Sequence, residues 1–196
     1  STPTHRQRRG SVERKFAALH DAFERRIGRK PRSNMSEGWD YSTNLLQALM
    51  HQGYEFDCSL APMVSSVSLN RHNVPRTPFF PSVQAPTQRG TAQLLEMPIL
   101  TSSKVVHQIG WAVPSNRGLR RLLDHTCDRV GITRTVVDPL RQNIEVIRLA
   151  VEHAAGMGQA PIIIPINSFD IGVATSNLAS SAAELSDLLQ DLDRLF

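Results

Sequence analysis

Apolar residues along the chain alternate between helical and extended spacing, and the switches predict the elements. Phe16, Leu19, Phe23 and Ile27 recur three or four apart, which predicts a helix opening near Ser11. Gly28 ends it, with Arg25 and Arg26 in the last turn. Pro31 to Asn34 reads as a short strand. Ser42 or Thr43 caps a second helix whose buried stripe is Leu45, Leu46, Leu49 and Met50, and Gly53 stops it. Tyr54, Phe56, Cys58 and Leu60 then alternate as a strand. Residues 61–93 are rich in Pro, Ser, Asn, Arg and Gln with weak periodicity, the pattern of a lid, a binding loop or an insertion. Leu94 to Ile99 (LLEMPI) reads as a buried strand. A helix is expected near Leu119 to Val130, and another from Asp138-Pro139 with Ile144, Ile147 and Val151 on its apolar face. Pro161 to Ile166 predicts a buried strand. A capping box at Ser181 and Glu184 opens a last helix carrying Leu185, Leu188, Leu189, Leu192 and Leu195.

Strands alternating with helices, and strands with continuously apolar runs, predict an α/β fold whose sheet is mostly parallel and covered by helices, closed as a barrel or open. About five strands are too few to close a barrel, so further strands are expected before Ser1 or within stretches of weak periodicity. With 196 residues the chain suits a single domain, 11–196, behind a basic lead-in arm, 1–10. It begins at Ser1 without a Met, which leads us to expect a processed, trimmed or incomplete amino terminus.

Charge changes this picture at one end. The net charge is +4, yet residues 1–32 hold ten Lys or Arg against three acids, leaving twelve against fifteen in the remainder. A solvated basic helix end accounts for this. A nucleic-acid or acidic-partner contact through residues 1–32 is the alternative, weakened by the lack of aromatic residues interleaved with the charges. The longest apolar run, Ile162 to Ile164 between prolines, is far too short to span a bilayer. Cys58 and Cys127 sit in a strand and a helix pattern and read as buried free thiols.

Four stretches together carry a family resemblance: GRKPRSNMSEGW, LLQALMHQGYEFDCSLAP, LLEMPI and PIIIPINSFDI, followed by the Leu-rich last helix. In order and spacing they resemble the carboxyl-terminal two-thirds or more of a polysaccharide deacetylase, the NodB-homology type of carbohydrate esterase. Members of that family show a Pro-x-x-Phe-Arg-x-x-x-Trp-like run, a Gly-Tyr-x-x-Asp-Ser-Ser strand and a late strand ending in His-Ser. The resemblance implies a distorted (β/α) barrel of the NodB-homology type, incomplete at its amino terminus. It also implies metal-dependent hydrolysis of N- or O-acetyl groups on sugars, in which a divalent ion polarises the carbonyl, an Asp acts as base and a His as acid.

Position by position, the implied chemistry is mostly missing. His5 falls where the second metal histidine belongs, thirty residues before Met35, and Ser1 stands at the place of the first. Met35 replaces the arginine that orients the base, Asn34 replaces the usual Phe, and Asn167-Ser168 replaces the late His-Ser. Methionine has no charge and no donor, and asparagine cannot deliver a proton near neutral pH. A lone imidazole is a poor divalent-metal site. Glu37, Gly38, Trp39, Asp40 and Ser168 would line the pocket, with Glu37 and Asp40 as a candidate carboxylate pair.

The expectation is therefore a catalytically degenerate deacetylase-like domain acting as a binding or structural subunit. It needs no cofactor in this chain and has other protein subunits, or an acetylated polysaccharide, as partners. The enzymatic alternative places the missing ligands upstream of Ser1 and requires a zinc-like divalent ion near His5. A third alternative is a ribonucleoprotein-associated structural role through the basic arm. Asp124, His125 and Asp128 fall within one helical turn but read as a solvated face. His51, His72, His107 and His153 are isolated. Neither a G-x-S-x-G elbow nor a phosphate-binding glycine loop is present.

Overall fold

The structure is a computed structural model that describes residues 9–36, 41–64, 74–103, 134–138, 142 and 144–165, with single positions 119, 122, 123, 126, 127, 186 and 190. These residues form a mixed α/β protein with a parallel sheet. The chain divides into two compact units, 1–99 with 159–163, and 100–158 with 164–196.

The first unit begins with helix α1 (Arg9–Ile27), two residues earlier than the Ser11 cap predicts. Arg9 and Gly10 therefore belong to the helix and not to an irregular lead-in. Gly28, at φ 76°, ends it, and its amide donates to the Glu24 carbonyl (2.8 Å). Such a positive φ is the left-handed stop that glycine adopts without a Cβ clash.

Strand β1 (Ser33–Asn34) leads to helix α2 (Thr43–His51), and strand β2 (Phe56–Asp57) follows. Ser42 is the N-cap of α2: its hydroxyl accepts from the Leu45 amide at 3.2 Å. Gly53, at φ 77°, turns the chain back, and the Tyr54 amide donates to the Leu49 carbonyl (3.0 Å). Strand β3 (Leu95–Glu96) completes a parallel sheet of order β1-β2-β3, in register Ser33↔Phe56↔Leu95 and Asn34↔Asp57↔Glu96. Ile163 joins Ile99 in a parallel bridge within the stretch predicted as a strand.

The core of this unit is one cluster formed by Tyr41, Leu45, Leu46, Leu49, Tyr54, Leu60, Val74, Phe79, Ala92 and Leu94. The α2 stripe supplies its centre. Helix α1 packs on α2 and meets Tyr54 edge-on through Phe16 (6.3 Å between centroids) and His20 (5.9 Å). Only part of the apolar face predicted for α1 is covered. Val12 is buried, whereas Leu19, Phe23 and Ile27 are 57, 38 and 54% exposed. The covered face runs through Val12, Phe16 and His20, four residues apart, so Leu19 and Phe23 fall beside it and not on it.

Within the 61–93 stretch, the described residues contribute to the core through Val74, Phe79 and Ala92. The chain folds back on itself there, with Phe79 bridging Glu96 and Pro81 bridging Arg89. Gly90 is required where the two arms meet. A Cβ at that position would lie 2.5 Å from the Ser82 Cα and 2.9 Å from the Pro81 carbonyl, both backbone atoms with little freedom to move. Gly90→Ala is therefore expected to destabilise this loop by about 1–3 kcal/mol. The readout is faster amide exchange at Ser82 and Ala92, which donate to the Gln88 and Pro81 carbonyls (2.8 and 2.9 Å). Unchanged exchange at both would refute the steric argument.

The second unit holds an antiparallel pair absent from the pattern-based expectation, β4 (Thr101–Ser103) with β5 (Arg134–Val136). Helix α3 (Ile144–Gly156) packs against β4. Helix α3 is described from Ile144; Pro139, predicted to open it, lies outside the described residues, and the Gln142 amide donates to the Asp138 carbonyl (3.0 Å). Leu122, Leu123, Thr126 and Cys127 are helical where a helix was predicted, as are Ser186 and Gln190. Arg134 is 2% exposed, its Nε donating to Thr101 Oγ1 (3.0 Å) and its Nη2 to the Thr101 carbonyl (2.6 Å). No helix among the described residues is long and apolar enough to cross a membrane.

Candidate functional site

Asn34, Asp57 and Glu96 are the last residues of β1, β2 and β3, and the register sets them side by side in one row. The carboxyl ends of parallel strands are where α/β folds gather polar side chains for binding or chemistry. Neither carboxylate was singled out by the sequence reading. In the alternating run Tyr54, Phe56, Cys58, Leu60, the intervening residues should face solvent. Instead Asp57 and Ser59 are both 0% exposed, as is Glu96. A sheet covered on both faces buries both sets of positions. The available signal was a carboxylate set between apolar neighbours in two strands predicted to be parallel.

Each carboxyl is half satisfied. Asp57 Oδ1 accepts from Asn34 Nδ2 (2.7 Å) and from the Ser59 hydroxyl (2.8 Å). Glu96 Oε1 accepts from the Leu60 amide (3.0 Å). Ser59 Oγ in turn accepts from the Ser36 amide (2.9 Å), which ties the chain leaving β1 to the chain leaving β2. Asp57 Oδ2, Glu96 Oε2 and the Tyr41 hydroxyl are buried without a hydrogen-bond partner. Tyr41 lies within electrostatic reach of both carboxyls.

Burial dominates the protonation of this cluster, because removing a carboxylate from water disfavours its charged form. Burial pushes Glu96 well above the usual carboxylate range, and the neighbouring charge of Asp57 pushes it further. Asp57 is raised by burial too, against the opposing hydrogen bonds from Asn34 and Ser59. Cys58, a free buried thiol, is pushed up to about 12, chiefly by burial and then by the two carboxylates. It is a packing residue and not a nucleophile, since a raised pKa keeps it as thiol. Burial likewise raises Tyr41.

Of the residues predicted to form a pocket, Met35 follows β1 directly and is 44% exposed. It stands next to the carboxylate row in sequence but lies outside its hydrogen bonds. Ser1, His5, Glu37, Gly38, Trp39, Asp40, Asn167 and Ser168 lie outside the described residues, as do Asp124, His125 and Asp128. His51 is exposed at the end of α2. Arg32, one of the basic residues in 1–32, is engaged by Glu55: Nε donates to Oε1 at 2.7 Å and Nη2 to Oε2. Its pairing, with exposed partners, lowers the Glu55 pKa through the hydrogen bond.

A divalent metal, as the resemblance implies, needs three or more converging protein donors. Among the described residues no three His, Cys, Asp or Glu side chains converge in this way. Among the described residues, Asp57 and Glu96 are two carboxyls with no imidazole beside them, a pair that by itself does not make up such a donor set. The arrangement can instead hold protons and fix backbone: it carries two acids, two hydroxyls and an amide, closed off from bulk water. No family model matches the chain, and no curated protein or solved structure matches it.

Proposed function

We propose that the protein is a catalytically degenerate polysaccharide-deacetylase-like domain, a distorted (β/α) barrel of the NodB-homology type, that serves as a binding or structural subunit. The observation that carries this reading is the inversion at the carboxyl end of the sheet. Among the described residues there, Met35 is 44% exposed, while Asp57 and Glu96 are 0% exposed. A general base or acid must come within hydrogen-bond reach of the reacting group, directly or through one water. Carboxyls that are sealed and bonded to Asn34, Ser59 and the Leu60 amide are poorly placed for that on a polymeric substrate. A thioether offers a soft, polarizable apolar contact, which suits an acetyl methyl or a partner's side chain and not proton transfer.

Acetate release decides the matter. The full chain, incubated with acetylated chito-oligosaccharides and added zinc, is expected to release no acetate above a protein-free control, and Met35→Arg is expected not to restore release. Sustained, chelator-sensitive acetate release by the unaltered protein would overturn the reading.

A further inference from the structure

We propose that Asp57 and Glu96 share a single proton in the folded protein, and that this proton latches together the carboxyl ends of β1, β2 and β3. The inference is independent of whether the domain binds a sugar. It starts from placement. The two side chains leave adjacent parallel strands at paired positions, and neighbouring strands lie about 4.8 Å apart. Both residues are 0% exposed, so bulk water does not screen their charges.

Donor arithmetic then fixes the proton count. Asp57 Oδ1 and Glu96 Oε1 have their donors in Asn34, Ser59 and the Leu60 amide. Asp57 Oδ2 and Glu96 Oε2 have none. If both acids were ionised, two like charges and two unsatisfied acceptors would be buried together. One proton corrects both faults, because it removes one charge and converts the facing oxygens into an O–H···O⁻ hydrogen bond. The proton resides on Glu96, since the hydrogen bonds from Asn34 and Ser59 favour the charged form of Asp57, whereas the neighbouring charge of Asp57 opposes ionisation of Glu96 against the Leu60 amide and the Tyr41 hydroxyl. Among the described residues, the titratable groups facing the pair are Tyr41, leading into α2, and Cys58, following β2. Both are held neutral by burial, so neither adds a charge to the pair.

What the proton holds closed follows from the same bonds. Asp57 anchors Asn34 and Ser59, Ser59 anchors the Ser36 amide, and Glu96 anchors the Leu60 amide. Loss of the proton would leave two charges behind these anchors and draw water in among the strand ends, next to Met35.

The folded pKa of Glu96 lies above its unfolded value of 4.5. Its stabilising contribution is therefore complete below that value and is lost as pH rises through the folded pKa. Between the two, the folded-to-unfolded ratio should fall about tenfold per pH unit from this group, the slope of one extra bound proton.

The test compares the full chain with its Glu96→Gln variant from pH 5 to 8 by amide exchange at Leu45 and Leu46, corrected for its intrinsic pH dependence, which reports the stability of the first unit. The substituted glutamine presents an amide donor to Asp57 Oδ2 and binds no proton. The stability of the unaltered chain relative to the variant is expected to fall by about tenfold per pH unit. Parallel pH profiles would overturn the proposal. Infrared spectra of the unaltered chain give a second readout that survives a variant that does not fold. A protonated-carboxyl carbonyl band persisting at pH 7 supports the shared proton, and its absence overturns it. A saturable stabilisation at pH 8 by added sodium or calcium, abolished in Glu96→Gln, would instead assign the pocket to a metal cation and also overturn the proposal.

Discussion

Leu49→Ala is expected to destabilise the first unit by about 2–5 kcal/mol. Leu49 is 0% exposed and lies at the centre of the cluster that α2 shares with Tyr54, Leu60, Phe79 and Leu94. Truncation removes its burial free energy and leaves a cavity that its neighbours are poorly able to fill. Tyr41, Leu45 and Leu46 are likewise 0% exposed and already engaged. The Leu49 carbonyl is also fixed, since it accepts the Tyr54 amide at 3.0 Å across the Gly53 turn. The helix end is thus unable to slide inward to close the gap. Because the chain forms two compact units, a single bulk transition is a poor readout. Amide exchange at Leu45 and Leu46 reports the first unit directly and should accelerate by about 30-fold to several thousand-fold. Leu19→Ala, on the 57% exposed face of α1, is the control and should change stability by no more than about 0.5 kcal/mol. Equal effects from the two substitutions would refute the account of the core.

The same helix shows what local pattern makes legible. Ser42 as cap, Leu45, Leu46 and Leu49 as buried stripe and Gly53 as stop are local features, because capping and the left-handed turn depend on a few consecutive residues. Gly28 is legible for the same reason. Features that depend on a distant partner are not. Which face of α1 is covered is set by its packing on α2 and Tyr54, which buries Val12 and His20 and leaves Leu19, Phe23 and Ile27 outside. β4 and β5 are three residues each and polar in part, so their pairing has no periodic signal to announce it.

The site divides along the same line. Met35 was legible as a departure at one position of a motif. Asp57 and Glu96 were not, since a carboxylate within a strand ordinarily marks a solvent-facing position. Their surroundings come from distant stretches: Phe79, in a stretch of weak periodicity, bridges Glu96, and the Leu60 amide donates to its carboxyl. The polar row is thus a product of tertiary packing. This explains why a search for metal or nucleophile spacings passes over it.

Asp57→Ala is the substitution expected to do most damage to that row, about 3 kcal/mol or more, because each buried group left without its partner costs about 1–3 kcal/mol. It removes the acceptor for both Asn34 Nδ2 (2.7 Å) and the Ser59 hydroxyl (2.8 Å). Asn34 retains only longer contacts, to Ser36 Oγ at 3.3 Å and Ser59 Oγ at 3.4 Å. Glu96 meanwhile loses the acceptor for its proton and faces a cavity at a position 0% exposed. Asp57→Asn separates these losses from a simple change of charge. Its Oδ1 still accepts from Asn34 and Ser59, and its Nδ2 donates toward Glu96 Oε2, so the bonding pattern survives with one negative charge. Exchange at the Cys58 and Met97 amides, which donate to the Asn34 carbonyl (2.9 Å) and the Asp57 carbonyl (2.8 Å), reports the strand ends on either side. Asp57→Ala should accelerate both by about two orders of magnitude or more, whereas Asp57→Asn should leave them within roughly tenfold. If alanine and asparagine behaved alike, the hydrogen bonds of Asp57 would not be what holds the strand ends, and the row would be a buried charge tolerated by its surroundings.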